Sequence, residues 1–326
     1  RWMRCPGSVR LNEQTKNDSN GSIYAAEGTK AHDLAELCLT RNMDAVDLPD
    51  DAEWQQYPQE MREYVQQYID QVRALHQEVG GGELLIEQRM DYSEWVPGGF
   101  GTADAVIIGD DELVVIDLKY GVGVRVDAPG NPQARLYALG AYAQHELGHD
   151  FKKVTAVIIQ PRVDHYSSEE MTIEDLLAFA DDARIAAHDA LKPDAPCVPG
   201  EKQCRFCDAK PICRARAEEN LRIAHDEFAE PTPAPDVLSL EEIGGLLPRL
   251  ADIEKWAKDV REYALQQAVN GAKVQGYKVV QGRSVRKWVD SAADQLKEHE
   301  QADKLLTFKP VGIGKAEQVL GKRHQL

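Results

Sequence analysis

A strand-like run that contains two charged residues constrains this chain more than any other feature of its sequence. Residues Glu112–Tyr120 are rich in Val, Ile and Leu, follow a turn-like Gly-Asp-Asp and end before Gly121, which predicts a buried strand. Asp117 and Lys119 are two residues apart, so the pleat turns both side chains to one face. Burying a carboxylate and an ammonium is costly unless they pair or bind a ligand, so the run predicts a functional site.

A second acidic residue is expected close to this site. Thr102–Ile108 has the pattern of a short strand that carries Asp104, and Gly109-Asp110-Asp111 between the two strands is a hairpin signal. An antiparallel pair would bring Asp104 near Asp117. Two converging carboxylates repel each other unless a divalent cation lies between them, so the hairpin predicts a metal site.

The segments around the hairpin predict an α/β protein. Asn131 can cap a helix that starts at Pro132 and places Gln133 and Tyr137 one turn apart on the same face. Hydrophobic periodicity predicts further strands and helices, with the chain leaving the sheet over Arg162–Tyr166. The strands are Glu83–Met90 and Val154–Gln160, and the helices are Ala25–Thr40, Ala52–Val79, Ile173–Leu191 and a broken helical region from Ser239 to Asn270.

These residues resemble the motifs of the PD-(D/E)XK nucleases, and of their RecB-like branch in particular. That family has an acid at the end of one strand, a D/E-x-K on the next and a Q-x-x-x-Y helix, which here are Asp104, Asp117-Leu118-Lys119 and Gln133–Tyr137. The resemblance implies a restriction-endonuclease-like α/β core, a mixed central sheet flanked by helices, with a helical N-terminal part and a smaller C-terminal appendage. It also implies that the catalytic residues are Asp104, Asp117, Lys119, Gln133 and Tyr137.

A histidine near the start of the first long helix is a candidate metal ligand. On its own, a histidine on a helix is more often structural or solvated. Many RecB-like nucleases place a G-x-x-x-H on an early helix, and Gly28–His32 matches that spacing. Glu87 is either a further acid near the metal or an ordinary edge-strand carboxylate. The resemblance thus implies a Mg²⁺ or Mn²⁺ site formed by His32, Asp104, Asp117 and the Leu118 carbonyl.

The cysteines predict a second metal centre. Six cysteines in a chain with no visible secretion signal point to a reducing cytoplasm and to metal binding rather than disulfides. Three of them have metal-ligand spacing, and the fourth ligand is open between Cys5, Cys197 and Cys38, the last on an apolar helical face that suits the core. The spaced cysteines are Cys204, Cys207 and Cys213.

The resemblance selects Cys5 as the fourth ligand. RecB-like nucleases of the AddB type and the CRISPR-associated type hold a [4Fe–4S] cluster with one cysteine before the nuclease core and three after it. The same arrangement here would join the start of the chain to the end of the core, a structural role. A structural Zn²⁺ bound by the same four thiolates is the alternative.

The charge balance argues against a protein that coats duplex DNA nonspecifically, and it does not exclude a nuclease whose DNA path is locally basic. The net charge is −17, whereas residues 202–216 carry a local +4 and residues 273–326 a local +5; each of these stretches is either a nucleic-acid face or solvated helix surface. The Pro-rich segment 230–238 separates a nuclease core, 1–229, from an appendage of unassigned role, 239–326. No run is long and apolar enough for a membrane span, so no membrane partner is expected.

The resemblance implies a metal-dependent deoxyribonuclease, an exonuclease in recombination, repair or phage DNA processing in the cytoplasm of a bacterial or phage-infected cell. Its expected partners are single-stranded DNA or duplex ends, and a recombination or annealing protein. The sequence has no G-x-x-x-x-G-K-[ST] motif, so no ATPase of that kind is expected. One rival is a noncatalytic DNA-binding accessory with the same fold. The other, an electron-transfer iron–sulfur protein, leaves Asp117 and Lys119 unexplained.

Overall fold

One five-stranded mixed sheet forms the centre of the chain, with helices on both faces, and the predicted α/β class is confirmed. The structure is a computed structural model that describes residues 1–15, 23–49, 51, 54–228 and 240–280. The strands are β1 (Glu83–Asp91), β2 (Phe100–Ile108), β3 (Glu112–Leu118), β4 (Lys153–Gln160) and β5 (His165–Thr172). The helices are α1 (Ser8–Glu13), α2 (Ile23–Arg41), α3 (Gln59–Glu78), α4 (Pro132–His145), α5 (Ile173–Ala190), α6 (Glu201–Arg205), α7 (Arg214–Phe228) and α8 (Leu240–Val269).

β2 and β3 form the antiparallel hairpin that the sequence predicts. Ala105 lies opposite Ile116, and the Gly109 amide donates to the Glu112 carbonyl at 2.9 Å across the turn. The sheet order is β1-β2-β3-β4-β5, in which β3 and β4 are parallel and all other neighbours are antiparallel. A parallel pair needs a crossover, and α4 supplies it between β3 and β4 while packing on the sheet.

The prediction that the chain leaves the sheet over Arg162–Tyr166 is wrong. After a short 3-10 turn at Pro161–Val163, β5 returns antiparallel to β4. Asp164 makes the reversal with a φ of 48°, a left-handed conformation that Asp tolerates better than most residues. β5 is an edge strand with mostly polar residues on both faces, so it lacks the apolar alternation by which strands are recognised in sequence.

Two apolar cores hold the helices on the sheet, and each large, fully buried side chain in them contributes about 1.5–3 kcal/mol. One core joins the sheet to α4 and α5, and the other joins it to α2 and α3. Cys38 is fully buried in the second core, as predicted. The large buried side chains of the first core are Met90, Leu113, Leu139, Ile158 and Leu176, and those of the second are Leu34, Tyr68, Ile69, Ile107, Ile116 and Leu118.

The start of α4 is the predicted one, whereas α3 starts later than expected. The Asn131 side chain accepts from the amides of Gln133 at 3.0 Å and Ala134 at 3.4 Å, so it caps the helix. α3 begins at Gln59 rather than at residue 52, because Pro58 takes an extended φ and ψ and the residues before it form a turn.

The chain divides into two compact units, Arg1–Ala264 and Leu265–Leu326. The division falls within α8, which continues through Pro248 as one helix, whereas the sequence predicts a helical region with a break. In the second unit, the structure describes the end of α8 and an irregular stretch up to residue 280. The predicted linker 230–238 and residues 281–326 of the appendage lie outside the described residues, so that boundary stays a prediction. In the described part of the chain, no helix is long and apolar enough to cross a membrane.

A buried glutamine at the end of β4 fixes the loop that follows β3. Gln160 is 1% exposed, and its Nε2 donates to the carbonyls of Gly121 at 2.6 Å and Val124 at 2.9 Å. Its Oε1 accepts from the Val126 amide at 3.1 Å. One side chain thus satisfies three backbone groups of a loop that has no regular structure, directly after Lys119.

Replacing this glutamine should loosen the loop. We expect Gln160→Ala to lower the free energy of unfolding by roughly 2–3 kcal/mol, because it leaves buried backbone groups without partners. Urea denaturation monitored by circular dichroism measures the loss. Gln59→Ala is the matched control, since Gln59 is exposed and bonds only within α3 to Glu63. Equal losses in the two variants would contradict the role assigned to Gln160.

Candidate functional site

β1 changes the face on which its apolar residues pack in mid-strand. Leu84 and Ile86 pack on the α2–α3 side, whereas Met90, an even number of residues further on, packs on the α4–α5 side. Residues at even spacing share a face in a regular strand, so the alternation changes between Ile86 and Met90. Glu87 lies at that point with a φ of 48°, a left-handed conformation that is uncommon outside glycine and is concentrated at functional sites.

β2 changes faces at the opposing position. Ala103 packs on the α4–α5 side and Ala105 on the α2–α3 side, so the change falls at Asp104. The β1–β2 register is the same before and after this point, which means that no residue is inserted and that Glu87 stands opposite Asp104. Both acidic side chains consequently reach the α2 side of the sheet.

His32 of α2 meets these two acids. One ligand atom from each of His32, Glu87 and Asp104 lies within 4.8 Å of the other two. His32 Nδ1 is 2.8 Å from Asp104 Oδ1, and the other oxygen, Asp104 Oδ2, accepts from the Leu118 amide at 2.6 Å. Asp104 therefore connects α2 to the end of β3. An open cavity of about 440 Å³ borders this group, lined by Gly28, Thr29, His32, Asp33, Glu36 and Glu87.

The D-x-K strand and the Gln/Tyr helix form a second network beside the first. Lys119 Nζ is 2.7 Å from Asp117 Oδ2 and donates to Gln133 Oε1 at 3.3 Å. Gln133 Nε2 donates to Asp117 Oδ1 at 3.3 Å and to the Tyr137 hydroxyl at 3.0 Å. Asp117 Oδ2 is buried, and the Lys119 ammonium is its charge partner. The predicted residues of β3 and α4 are thus in direct contact.

The crowding of acids shifts the pKa values of the site. Burial and the charge of Asp104 raise the pKa of Glu87 from 4.5 to about 7, although His32 opposes this. Burial raises the pKa of Asp117 against the opposing charge of Lys119. Burial would lower the pKa of His32, but its hydrogen bond to Asp104 and the nearby acids raise it overall. Burial is the largest cause for Glu87 and Asp117, and the charge of Asp104 raises both pKa values further, whereas at His32 the neighbouring acids outweigh burial.

The donor set fits a divalent cation. Two carboxylates and an imidazole within 4.8 Å are hard and borderline ligands of the kind that Mg²⁺ and Mn²⁺ accept. Asp117 is a further buried carboxylate beside this group, with Lys119 as its charge partner. The compact group contains His32 and Asp104, as predicted, but includes Glu87 instead of Asp117. Leu118 contacts the site through its amide, and its predicted carbonyl ligation stays a prediction.

Glu87 is the residue that the sequence reasoning left undecided. Its position two strands away from Asp117 gave no motif, and its left-handed backbone cannot be inferred from an ordinary Ile-Glu-Gln sequence. The one available signal was an acid directly after the apolar run Leu84–Ile86, on the strand before the Asp104 strand.

The N-terminal segment packs against the stretch that contains the spaced cysteines. The Gly7 amide donates to the Pro196 carbonyl at 2.9 Å. Asn12 is 7% exposed; its Nδ2 donates to Cys207 Sγ at 3.3 Å and its Oδ1 accepts from the Asp208 amide at 3.0 Å. The start of the chain is therefore fastened to residues about two hundred positions away, as the cysteine pattern predicts.

Three of the four predicted cluster ligands accept N–H···S hydrogen bonds. Cys207 accepts from Asn12, Cys5 from the Val198 amide at 3.3 Å, and Cys204 from the Gly200 amide at 3.4 Å. Such bonds stabilise thiolates that ligate metal clusters, so the donor set fits an iron–sulfur cluster.

Cys197, which the resemblance excluded, lies in the same region. This region, with Cys5, Cys197, Cys204, Cys207 and Cys213, is hereafter called the cysteine corner. Burial, then the neighbouring thiols of Cys213 and Cys5, raise the pKa of Cys197 to about 11, and it is hydrogen-bonded to Cys213. Cys197 therefore lies beside the predicted ligands Cys213 and Cys5. Its seven-residue distance from Cys204 in sequence did not indicate this proximity.

A comparison with models of protein families identifies the family to which the chain belongs. A family model described as protein of unknown function (DUF2800) matches residues 1–325. The chain belongs to the DUF2800 family. Among solved structures, one titled "Crystal structure of SSO0001" is 18% identical, and the match covers 64% of this DUF2800 chain and 95% of the other chain with a TM-score of 0.26.

Stability should depend on pH through the crowded acids. The folded protein keeps a proton on Glu87 up to a pH of about 7 that the unfolded chain loses near 4.5, so the free energy of unfolding falls as pH rises through this window. The raised pKa values of His32 and Asp117 act in the same direction. We expect Tm in EDTA to fall between pH 5 and pH 8, and Glu87→Gln to reduce that fall.

Thermal unfolding with and without Mn²⁺ tests both the raised pKa of Glu87 and its role as a ligand of the cation. Mn²⁺ should raise the Tm of the unsubstituted protein more at pH 8 than at pH 5, because its ligands must lose protons, and Glu87→Gln should diminish the rise. Glu94→Gln, at an exposed position between β1 and β2, is the control. A Glu87→Gln variant with an unchanged pH profile would refute the assignment.

Proposed function

We propose that this DUF2800 protein is a Mg²⁺- or Mn²⁺-dependent deoxyribonuclease with a restriction-endonuclease-like core, acting as an exonuclease in recombination, repair or phage DNA processing. One observation carries the proposal. Three separate sequence motifs, Asp104, the Asp117–Lys119 strand and the Gln133–Tyr137 helix, meet at one end of the sheet, beside His32 and Glu87. The mixed sheet with helices on both faces supports the proposed core.

The acidic groups would hold the cation. His32, Glu87 and Asp104 form the compact group, and the Asp117 carboxylate, which is paired with Lys119, is the further ligand proposed from the D-x-K motif. A Mg²⁺ or Mn²⁺ ion bound there would polarise a scissile phosphate and would lower the pKa of an attacking water. Asp104 orients His32 through the 2.8 Å hydrogen bond and is itself held by the Leu118 amide, so the ligands are positioned by α2 and β3 together.

Lys119 supplies the positive charge that the reaction needs on the protein side. Its Nζ is held between Asp117 Oδ2 and Gln133 Oε1, which fixes a flexible side chain at the edge of the acidic group. From there the ammonium orients the attacking water and stabilises the negative charge that develops on the phosphate. Gln133 and Tyr137 brace this position, and Gly101 allows the Tyr137 ring to pack so closely that any added Cβ would collide with it.

The cysteine corner supports a second part of the proposal, a structural [4Fe–4S] cluster on Cys5, Cys204, Cys207 and Cys213. In a tetrahedral Zn²⁺ site the sulfur atoms lie roughly 3.8 Å apart, since each Zn–S bond is about 2.3 Å. No three cysteine sulfurs of the described residues lie within 4.8 Å of one another, so the choice of the cluster over zinc rests on the resemblance. Cys197 is proposed as a neighbouring thiol and not as a ligand.

Nuclease activity is tested with end-labelled single-stranded and duplex DNA in Mn²⁺, in Mg²⁺ and in EDTA. We expect cleavage only with the cation, and a loss of roughly 10²–10³-fold or more in Lys119→Met, because the charge at the reacting phosphate is removed. Lys152→Ala is the matched control, since Lys152 is an exposed lysine whose ion pair with Asp111 lies at the surface. Binding of DNA without cation-dependent cleavage would favour the noncatalytic DNA-binding accessory and would contradict the proposed nuclease activity.

The cluster is tested on protein purified without oxygen. We expect a brown protein with about four irons per chain, and loss of colour and iron in Cys207→Ser. Cys38→Ala, a buried cysteine in the α2–α3 core, should keep the colour, and so should Cys197→Ala. A colourless protein with one zinc per chain would identify the alternative, and loss of iron in Cys197→Ala would place Cys197 among the ligands.

A further inference from the structure

An arginine stacked on an exposed phenylalanine lies at the end of the β1–β2 pair where residues 92–99 connect the two strands. The Arg89 guanidinium carbon lies 4.1 Å from the centroid of the Phe100 ring. Phe100 is 57% exposed, an unusual position for a large apolar ring at the start of a strand. The stacked pair is hereafter called the Arg89–Phe100 platform.

The platform lies on the same face of the sheet as the candidate metal site. Ala103 packs on the α4–α5 side and Gly101 lies against the α4 ring of Tyr137, so Phe100 and its even-numbered neighbours point to the other side. On β1, Met90 likewise packs on the α4–α5 side, which turns Arg89 the opposite way. That opposite side is the one on which Glu87 and Asp104 meet His32.

A short row of residues connects the platform to the acids. Arg89 lies opposite Thr102, two residues from Glu87 on one strand and two residues from Asp104 on the other. Phe100 is four residues before Asp104 on β2, which puts their backbones about 13 Å apart at 3.2–3.4 Å per residue. A DNA strand whose phosphate sits at the acidic group therefore reaches the platform within a few nucleotides.

The platform is held rigidly. The Tyr92 hydroxyl donates to the Phe100 carbonyl at 2.8 Å, and Tyr92 is buried in the α4–α5 core. On the neighbouring strand, Gln144 of α4 donates to the Arg89 carbonyl at 3.0 Å. The backbones of both platform residues are thus fixed from the core side, which lowers the entropy lost when a ligand binds.

We infer that the Arg89–Phe100 platform binds an unpaired nucleotide of single-stranded DNA, an inference that rests on the proposed nuclease function. The base stacks on the exposed phenylalanine ring and the guanidinium pairs with a backbone phosphate. Bases inside a duplex already stack on one another, so a fixed surface ring can engage only an unpaired base. Arg89 also offsets the negative charge of the acidic group along the path of the incoming phosphates.

Binding of a fluorescein-labelled oligo-dT and of a duplex of equal length, in EDTA to prevent cleavage, tests the inference. We expect Phe100→Ala to weaken oligo-dT binding roughly fivefold or more and to leave duplex binding within twofold, because only the unpaired base stacks. Arg89→Ala should reduce the salt dependence of log Kd by about one unit, and Arg89→Lys should restore it. Phe100→Trp should retain affinity and show quenching of the added tryptophan emission by oligo-dT.

Two controls separate this inference from the proposed function. Tyr166→Ala removes another exposed aromatic ring, 46% exposed on β5 at the opposite edge of the sheet, and should bind oligo-dT like the unsubstituted protein. If the unsubstituted protein shows Mn²⁺-dependent cleavage but Phe100→Ala and Phe100→Leu both bind oligo-dT normally, the role of the platform in nucleotide binding is refuted. The proposed nuclease function is then retained. An unsubstituted protein that binds neither probe and cleaves neither overturns both.

Discussion

The burial of Asp117 is the constraint on which the arrangement of the site depends. Only 5% of this residue is exposed, so its carboxylate must be balanced by groups that the fold brings to it. Lys119 comes from the end of the same strand and Gln133 from α4, which must therefore cross the sheet at this point. Removing either partner leaves a buried charge poorly compensated, which is why the strand, the crossover helix and the site form one unit.

The meeting of Glu87 with Asp104 has a cost that the rest of the fold offsets. A left-handed residue inside a strand is strained, and two carboxylates beside a third one repel each other. The change of face on β1 and β2 nonetheless keeps both apolar cores intact, because the residues on either side still pack on a helix layer. The same change turns Arg89 and Phe100 toward the acids, so one backbone irregularity shapes both the candidate metal site and the surface that leads to it.

The cysteine corner closes the chain over most of its first unit. Asn12 and the N–H···S bonds at Cys5, Cys204 and Cys207 join the N-terminal segment to residues near position 200. The proposed cluster would crosslink this loop, and a crosslink over so long a loop restricts the unfolded chain more than a local one does. Its proposed role is structural and acts through the stability of the fold.

The sequence by itself determined the features that depend on residues a few positions apart. The pleat places Asp117 and Lys119 on one face and Asn131 caps α4, so four of the five strands, the hairpin and most residues of the candidate site were predictable. Tertiary structure alone decided what joins them. Glu87 reaches the site only through its left-handed backbone and its partner strand, and Cys197 lies beside Cys5 only because the N-terminal segment packs on the stretch around position 200. Both depend on contacts between distant segments that no local pattern encodes.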